Sequence, residues 1–600
     1  MSEDPIRRQY VDGSSYPPGR TGLRGSHLGS FDVAHEIRDG RRFDVGDLPV
    51  EESYDLVVVG AGISGLASAW FFRERHPDAS ILLLDNHDDF GGHAKRNEFT
   101  VEGRFLLGYG GSEALQSPEA LYGPEAKGML RALGIDYHRF ERYFDTDLYP
   151  SLGLSRAVFF AKEAFGEDRL VTGDPMRMVA DDIPADRMHE RSPEAFIADF
   201  PVSEEAKAQL LELYTSTRDP VPALAETETI EHLSRTSYRE YLQRVWGLSD
   251  EAADTFQGRP HDFFAIGIDG VSAFDAMETG YPGFAGMTLT RDPRAAAEMD
   301  EPYIYHFPDG NASIARAIVR SLIPAVAPGD SIEDLVTARF DYGALDVDGS
   351  AARVRLQATA VHVRNHAAGV DVGYVRGGTL HRVRGDGAIL AGYHMMIPSI
   401  MPELPAPQRQ ALRANVKAPL SYTKVAVRDW HPWVRLGVHE ITNPMGFFSR
   451  LKLDYPVSIG DYRCPRAPDE PMVLHLVHVP VVPNRGLSTA DARRAARQLL
   501  YDTSFEDFEF HVRDELRRML GPGGFEADRD IAAITVNRWG HGYSYSGEGL
   551  APTEERPWEV ARARCGEVAF ANADAAWMPL ASAAIEQGHR AAMELLADET

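Results

Sequence analysis

The chain has 600 residues, a length at which one hydrophobic core usually gives way to two or more. Hydrophobic residues make up 44% and charged residues 25%, which is typical of a folded globular protein and excludes a mostly disordered one. With 62 basic and 90 acidic residues the formal charge is -28, so the mean field repels nucleic acid and favours a cationic ligand, although the excess can equally serve solubility alone.

Sulfur chemistry and membrane insertion are both poorly supported. Cys464 and Cys565 are the only cysteines, too few for a disulfide framework or a thiolate metal cluster. No stretch approaches the roughly 18 apolar residues that cross a bilayer, and residues 1–25 lack the apolar core of an export signal. The sequence as it stands predicts a cytoplasmic protein with no transmembrane segment and no nucleic-acid partner.

Residues 1–50 are rich in Gly, Pro, Ser, Arg and Asp and predict an extended arm. A βαβ unit follows, with an apolar strand over 54–59, a small-residue helix over 64–75 and a second strand over 81–84. Helices over 204–214 and 237–245, strands over 361–363, 370–375 and 421–427, and a final helix over 580–596 come later in the chain. We therefore predict an α/β fold, α+β overall, that includes a Rossmann-type domain.

The turn after the first strand matches the G-x-G-x-x-G pattern of dinucleotide-binding folds. Gly60 permits the tight turn, Gly62 lets a pyrophosphate approach the backbone, and Gly65 lets helix and strand pack closely. Ile63 and Ser64 begin the helix whose N–H groups face the phosphates. Asp85, at the end of the second strand and followed by Asn86, is placed to accept hydrogen bonds from a ribose. The alternative is a βαβ unit without a ligand.

A glycine pair, Gly91 and Gly92, follows Asp85 and resembles the glycine-doublet flavoproteins, a superfamily that includes the flavin amine oxidases. The resemblance implies FAD, with the pair lying close to its phosphates. Many of those proteins have Arg directly after the pair. This chain has His93 there and Arg96 slightly later, so the resemblance implies that the charge of the pyrophosphate is neutralised further along the loop.

Three more segments resemble parts of that superfamily. Gly110, Gly111 and Ser112 stand where its members bring backbone against the isoalloxazine ring. Residues 568–574 and 584–592 resemble its C-terminal F-A-G-x-E and A-x-E-S-G-x-x-A-A patterns, which implies that Asp574 binds the ribityl chain and that the last helix points at the flavin. Val361 falls where the family contacts adenine, although a valine in a buried strand is the commoner meaning.

The resemblance also implies catalytic side chains. A glycine-punctuated stretch that predicts a loop contains Trp539, Tyr543 and Tyr545. These rings resemble the aromatic wall of amine oxidases; the alternative is that they only pack in the core. Lys424 resembles the lysine that binds a water at flavin N5, or is a solvated lysine of an edge strand. A set of carboxylates could recognise a distal ammonium or lie on the surface: Glu113, Asp269, Asp275 and Glu278.

Longer strings in residues 16–27, 91–99, 307–312 and 397–405 resemble the spermidine dehydrogenases. That resemblance implies haem b besides FAD, with His27 and His35 as candidate iron ligands and His93 behind them. Because residues 7–11 resemble the first half of a twin-arginine leader, it also permits a periplasmic location. It predicts a discontinuous FAD-binding domain (51–125, 300–400, 555–600), an interleaved substrate domain (126–299, 401–554), and the arm (1–50) as a haem-binding region.

The sequence thus predicts an amine-oxidase-like, FAD-dependent enzyme that oxidises the C–N bond of a small amine, spermidine being one example. The acceptor of the electrons, oxygen or a redox partner, stays open. Two alternatives compete with this hypothesis. One is a glycine-doublet desaturase or oxidase that acts on a large apolar substrate, and the other is a flavin-binding electron carrier without catalysis.

Overall fold

The computed structural model describes residues 16–179, 181–221, 224–287, 289, 293–483, 486–544 and 556–597, so Tyr545 lies outside the described residues. Two large sheets and a small hairpin organise this part of the chain. The strands are β1 (Gly22–Gly25), β2 (Glu52–Val59), β3 (Ile81–Leu84), β4 (Arg96–Val101), β5 (Arg104–Tyr109), β6 (Ser155–Phe160), β7 (Arg169–Thr172), β8 (Ala352–Arg355), β9 (Ala358–His366), β10 (Gly369–Arg376), β11 (Thr379–Leu390), β12 (Ala418–Val427), β13 (Val438–Thr442), β14 (Arg450–Leu453), β15 (Met472–His478), β16 (Ile531–Tyr543) and β17 (Val568–Phe570).

The seven-stranded sheet carries the predicted βαβ unit. Its order is β8-β3-β2-β11-β10-β9, with β17 beside β11. Strands β8, β3, β2, β11 and β17 are parallel to their neighbours, whereas β9 and β10 form an antiparallel extension. Leu56, Val58 and Leu83 have no exposed surface, as expected of a parallel sheet covered on both faces.

The eight-stranded sheet has the order β1-β16-β12-β15-β14-β13-β6-β7. All ten residues of its central strand β12 are buried, so the strand predicted over 421–427 is an interior one. A cluster of buried aromatic and aliphatic residues from Phe196 to Phe284 packs the adjoining helical region against β6 and β7.

The described helices of eight or more residues are Ile63–Arg75, Pro124–Ala132, Glu204–Thr215, Glu226–Arg235, Pro293–Asp300, Ala312–Leu322, Ala406–Ala414, Thr489–Asp502, Phe505–Leu520 and Ala581–Leu596. Helix Ile63–Arg75 packs against Ala581–Leu596 so closely that a Cβ atom on Gly588 would lie 2.6 Å from the carbonyl oxygen of Ser64. None of the described helices combines the length and apolar character that a bilayer crossing requires.

The N-terminal arm joins the two sheets. Its strand β1 pairs in parallel with β16, Leu23 opposite Val536, and helix Asp32–Arg38 then lies beside β9. The arm is therefore not extended throughout.

The loop predicted around Trp539 is wrong, because residues 531–543 form the long strand β16. The two glycines that suggested a loop make room for side chains from elsewhere. A Cβ atom on Gly540 would lie 2.3 Å from the Tyr501 hydroxyl, and one on Gly542 would lie 2.5 Å from a methyl carbon of Leu420.

Candidate functional site

A cavity of about 690 Å³ is lined by both large sheets and by the arm. The part lined by the G-x-G-x-x-G turn, the glycine pair and residues 572–584 is called the dinucleotide end. The part lined by a group of acidic side chains is called the carboxylate end: Glu113, Asp181, Asp262, Asp275, Glu298 and Glu440.

The glycines of the dinucleotide end are required by close backbone contacts. Gly60 has φ +108°, which favours glycine, and a Cβ atom on Gly65 would lie 1.9 Å from the Gly60 carbonyl oxygen. Gly62 and Gly91 form an isolated β-bridge, which brings the glycine pair beside the turn. Gly62, Gly91 and Gly92 all line the cavity, so a ligand there meets bare backbone.

Two helix N-termini reach the same end of the cavity. Helix Ile63–Arg75 begins after Gly62, and helix Ala581–Leu596 begins after Leu580; neither has a side-chain hydrogen bond that caps it. Ile63, Ser64, Ala581 and Ala584 line the cavity. Uncapped N–H groups carry partial positive charge, so both helix ends are suited to phosphate or another anion.

Asp85 lines the cavity but is already bonded to backbone. Its carboxylate accepts hydrogen bonds from the N–H of Ala61 at 2.8 Å and of His87 at 2.9 Å, and burial raises its pKa. Asp85 therefore fixes the shape of the glycine turn in addition to any ribose contact. Neighbouring Asn86 also lines the cavity and donates to the Ser30 carbonyl of the arm.

The residues after the glycine pair separate into two groups. His93 lines the cavity, its Nε2 lies 3.0 Å from the Tyr393 hydroxyl, and burial lowers its pKa to about 3. Arg96 is not among the lining residues and is paired with Asp309 at 2.9 Å and Glu98 at 2.7 Å. This placement does not support the expected role of Arg96 at a pyrophosphate.

Strand β9 lines the cavity at Ala358, Thr359 and Ala360, whereas Val361 is buried in the core and does not line it. Gly111 and Ser112 do line it. A Cβ atom on Gly111 would lie 2.3 Å from the His93 carbonyl oxygen, so this stretch must be glycine. The Gly110 carbonyl accepts a hydrogen bond of 2.7 Å from the indole of Trp539, which fixes that ring in the cavity wall.

Asp574 does not line the cavity, contrary to the expectation that it contacts a ribityl chain. It accepts hydrogen bonds from Lys417 Nζ at 2.8 Å, Ser544 Oγ at 2.7 Å and the His394 N–H at 3.1 Å. Burial alone would raise its pKa, but the charge of Lys417 lowers it to about 2. Lys417 is the member of this pair that lines the cavity.

The carboxylate end has an excess of negative charge. Among its described lining residues are six carboxylates and three arginines, Arg156, Arg259 and Arg450. Aromatic rings complete the wall: Phe263, Phe264, Tyr303, Tyr422, Trp539 and Tyr543. Of the four carboxylates suggested by sequence, Glu113 and Asp275 line the cavity and Asp269 and Glu278 do not.

Glu113, Asp262 and His475 each bring one ligand atom within 4.8 Å of the others, a spacing that a metal ion could use. Their surroundings already contain cationic partners. Lys452 Nζ lies 3.1 Å from Glu113, and Arg450 donates to Asp262. A divalent ion would stand beside both of these charges, so the cluster does not favour a metal.

Lys424 is completely buried in β12 and is not among the cavity-lining residues. Its Nζ lies 3.1 Å from the centre of the Tyr109 ring and 3.7 Å from Asp454, and it has no hydrogen-bond partner among the described residues. Burial lowers its pKa to about 7. Lys424 is therefore neither the solvated lysine of an edge strand nor part of the cavity wall.

The candidate haem ligands are not brought together on the cavity wall. His27 does not line the cavity, and its Nδ1 lies 2.7 Å from the Gly25 carbonyl oxygen; its ring packs against His87. His35 lines the cavity and packs between Phe31 and Tyr501. This arrangement does not fit haem iron held by both histidines.

Sequence reasoning missed Lys417, Asp262 and Arg450. None of them belongs to a motif, since Lys417 meets its partner Asp574 157 residues further along the chain and Arg450 meets Asp262 across 188. The only available signal was the general acidity of the chain.

Parts of the chain resemble known proteins. Residues 58–133 match the model of an NAD(P)-binding Rossmann-like domain. A segment of 41 residues, 7% of this chain and 8% of the relative, is 44% identical to the FAD-containing monooxygenase EthA of Mycolicibacterium smegmatis. The matched part thus covers a small fraction of that relative.

Solved structures resemble nearly the whole chain. A putrescine oxidase variant is 18% identical, with 92% of this chain and 100% of that chain covered and a TM-score of 0.53. A protein described as a putative protoporphyrinogen oxidase of Exiguobacterium sp. 255-15 is 13% identical, with 91% of this chain and 99% of that chain covered and a TM-score of 0.54. Cyclohexylamine oxidase of Brevibacterium oxydans IH-35A is 16% identical, with 91% of this chain and 99% of that chain covered and a TM-score of 0.50. The chain has an amine-oxidase-like fold. At these identities the likeness establishes the fold and no activity.

Proposed function

We propose that the protein binds FAD and oxidises the C–N bond of an amine, with a polyamine such as spermidine as the substrate class. The main observation behind this proposal is that one cavity connects the two ends described above. Its dinucleotide end has glycines without side chains and two uncapped helix N-termini, and its carboxylate end is rich in acidic and aromatic side chains. The similarity to an FAD-containing monooxygenase and to amine oxidase structures supports this proposal.

The residues present fit FAD. Gly62, Gly91 and Gly92 offer backbone without side chains to a pyrophosphate, and the N-terminus of helix Ile63–Arg75 offers its N–H groups. Ala581 and Ala584, at the start of the last helix, would meet the flavin end, where a positive helix terminus stabilises negative charge. When bound, the flavin supplies a two-electron acceptor for the hydride of the substrate carbon, after which the imine product hydrolyses.

The chain's own groups would bind and orient the amine. Trp539, Tyr422 and Tyr543 form a partly apolar wall against the substrate's carbon chain, and the excess of carboxylates attracts its ammonium groups. A substrate with two or more cationic groups suits this chamber better than a monoamine, since six carboxylates and three guanidinium groups are among its lining residues.

The test is an absorption spectrum of the purified protein followed by anaerobic titration. We expect a flavin band and its bleaching by spermidine or putrescine, with cyclohexylamine less effective and a polyene or a porphyrinogen inactive. Bleaching by an apolar substrate alone would favour the desaturase or oxidase alternative, and bound flavin that no amine reduces would favour an electron carrier. The same spectrum reports haem b through its Soret band, which the arrangement of His27 and His35 does not lead us to expect.

A further inference from the structure

Asp262 and Glu113 face one space at the carboxylate end of the cavity. Both line it, and with His475 they place acceptor atoms within 4.8 Å of one another. His475 is completely buried, and neither of its ring nitrogens has a hydrogen-bond partner in the described part of the chain. Burial keeps the pKa of His475 well below its usual value, so the ring is neutral and one of its two nitrogens can accept a hydrogen bond. Three acceptors around one space suit a ligand that carries several N–H donors.

Glu113 and Asp262 differ in whether their cationic partner would keep another carboxylate if they were protonated. Glu113 bonds to Lys452, which has a side chain only 4% exposed, so a protonated Glu113 would leave that ammonium without its carboxylate. Asp262 bonds to Arg450, which also donates to Glu440 at 2.8 Å. If Asp262 became neutral, Arg450 would keep Glu440 as its counterion. Asp262 can therefore gain a proton without stranding a buried cation.

We infer that Asp262 is a catalytic residue that removes a proton from the substrate's ammonium group, while Glu113 stays ionised and holds the ammonium in place. An N–H bond of the ammonium breaks, an O–H bond forms on Asp262, and the electron pair stays on the nitrogen, which becomes the neutral amine that oxidation requires. Oxygen Oδ1 suits this role, since Oδ2 accepts from Arg450 while Oδ1 accepts a long hydrogen bond of 3.5 Å from the Tyr422 hydroxyl. The inference rests on the proposed amine oxidation and adds a residue to it.

The electrostatics support this division. Burial raises the pKa of Asp262, which makes it a stronger base than an exposed aspartate. Burial pushes the pKa of Glu113 up too, but Lys452 and its neighbours lower it to about 2, so Glu113 keeps its charge. Two carboxylates with opposite shifts are the usual mark of two different catalytic roles. The titratable and charged groups around Asp262 come from six strands and from loops: Tyr109 (β5), Tyr422 and Lys424 (β12), Glu440 (β13), Arg450 and Lys452 (β14), His475 (β15), Tyr543 (β16), and the loop residues Glu113, Tyr281 and Tyr303.

The experiment measures the rate constant of flavin reduction by saturating spermidine, under anaerobic rapid mixing, from pH 6 to about pH 10.5. We expect Asp262→Asn to be about 100-fold slower than the parent at pH 7, a typical contribution of a general base. The difference should shrink below about tenfold near the pKa of the amine, roughly 10 by analogy with lysine. There the substrate arrives without its extra proton and no base is needed. Asp262→Glu, which retains a carboxylate, should keep the pH profile of the parent.

Asp181→Asn is the matched control, because Asp181 is another carboxylate of the cavity wall, bonded to Arg156 at 2.5 Å. The rate constant of flavin reduction in this variant should differ from that of the parent by the same factor at every pH. The flavin content and circular dichroism of each variant verify that it is folded. A constant factor for Asp262→Asn across the pH range would overturn the assignment of Asp262 while leaving amine oxidation intact. A parent flavin that spermidine does not reduce at any pH would overturn the proposed substrate and the inference together.

Discussion

The Cα atom of Gly62 lies 2.9 Å from the point at which a Cβ atom on Gly92 would stand. The converse contact is relaxed, because a Cβ atom on Gly62 would be 3.6 Å from the Cα atom of Gly92. Gly92 also has φ +60°, while Gly62 has an ordinary extended backbone with φ -73° and ψ 176°. Glycine is thus required at position 92 by the protein itself, whereas the protein alone leaves room for a side chain at position 62.

The first prediction contrasts these two positions. Gly62→Val should leave the melting temperature of the cofactor-free protein nearly unchanged but reduce bound FAD to a small fraction of the parent's, because the new side chain takes space in the cavity. Gly92→Val should lower the melting temperature as well, since its backbone conformation costs about 1 kcal/mol or more for a residue with a side chain. Stoichiometric FAD in Gly62→Val would rule out the proposed site.

The second prediction concerns Lys424, whose pKa is lowered from 10.5 to about 7 by burial. Below pH 7 the folded and unfolded chains both bind the proton, and the full cost of burying the charge applies. Between pH 7 and 10.5 only the unfolded chain binds it, so the free energy of unfolding rises with pH, by about 5 kcal/mol for this group. Lys424→Met should raise the melting temperature at pH 7 and flatten its increase toward pH 10.

Lys452→Met is the control for Lys424. Lys452 is bonded to Glu113, so its removal leaves a buried carboxylate unpaired and should lower the melting temperature at pH 7. If the two lysine variants shift the melting temperature in the same direction, the predicted difference between a buried lysine without a hydrogen bond and one bonded to a carboxylate is disproved.

The third prediction concerns the buried pair of Lys417 and Asp574. Lys417→Met should cost about 3 to 5 kcal/mol of unfolding free energy, because Asp574 stays buried without its cation. The double variant Lys417→Met with Asp574→Leu should cost less than this single variant. Denaturant unfolding of the parent, both single variants and the double variant completes the cycle. Additive losses would show that the two side chains do not stabilise each other.

Acid provides an independent measurement of the same pair. The folded-state pKa of Asp574 is about 2, below the value of 3.8 for a free aspartate. Its stabilising contribution is therefore complete above about pH 4 and is lost as the pH falls through 2. Lys417→Met should remove this part of the acid dependence, and an unchanged profile below pH 4 would contradict the pairing.

The fourth prediction concerns the arm. Arg24 is 1% exposed, donates to the Pro17 carbonyl and lies 3.5 Å from Asp88 and 3.7 Å from Asp89, next to the cavity-lining loop. Arg24→Met should loosen the arm, which lines the cavity at Ser26, Ser30 and His35, and speed the release of FAD during dilution. Arg38→Met removes only an exposed pair with Asp39 and should leave the release rate unchanged. Equal release from the two variants would mean that the arm does not retain the cofactor.

The sequence predicts those parts of the fold that depend on residues close together in the chain. The strand over 54–59, the turn at Gly60 and the helix that follows are fixed by β-branched residues, by a positive φ and by small side chains within 20 residues. The final helix, predicted over 580–596, is Ala581–Leu596. These elements need no knowledge of distant neighbours.

The parts that sequence misjudges depend on distant partners. Gly540 suggested a loop, but its space is taken by Tyr501, and Gly542 accommodates Leu420. Lys424 looked like a lysine beside the cavity, yet its Nζ lies over Tyr109 instead. Asp85 and Asp574 carry the expected residue types, but backbone N–H groups bind the first and Lys417 binds the second. Residue type alone cannot report such competition between partners.

The parallel pairing of β1 with β16 has a consequence for biosynthesis. Gly22 lies opposite Thr535, so the first strand pair in the order of the eight-stranded sheet, β1 with β16, joins chain segments made far apart in time. At roughly 5 to 20 residues per second, the early segment would wait on the order of half a minute or more for its partner. Ala581 and Ala584, which line the dinucleotide end of the cavity, are made later still, so that end is assembled only after the segments of both large sheets have been made.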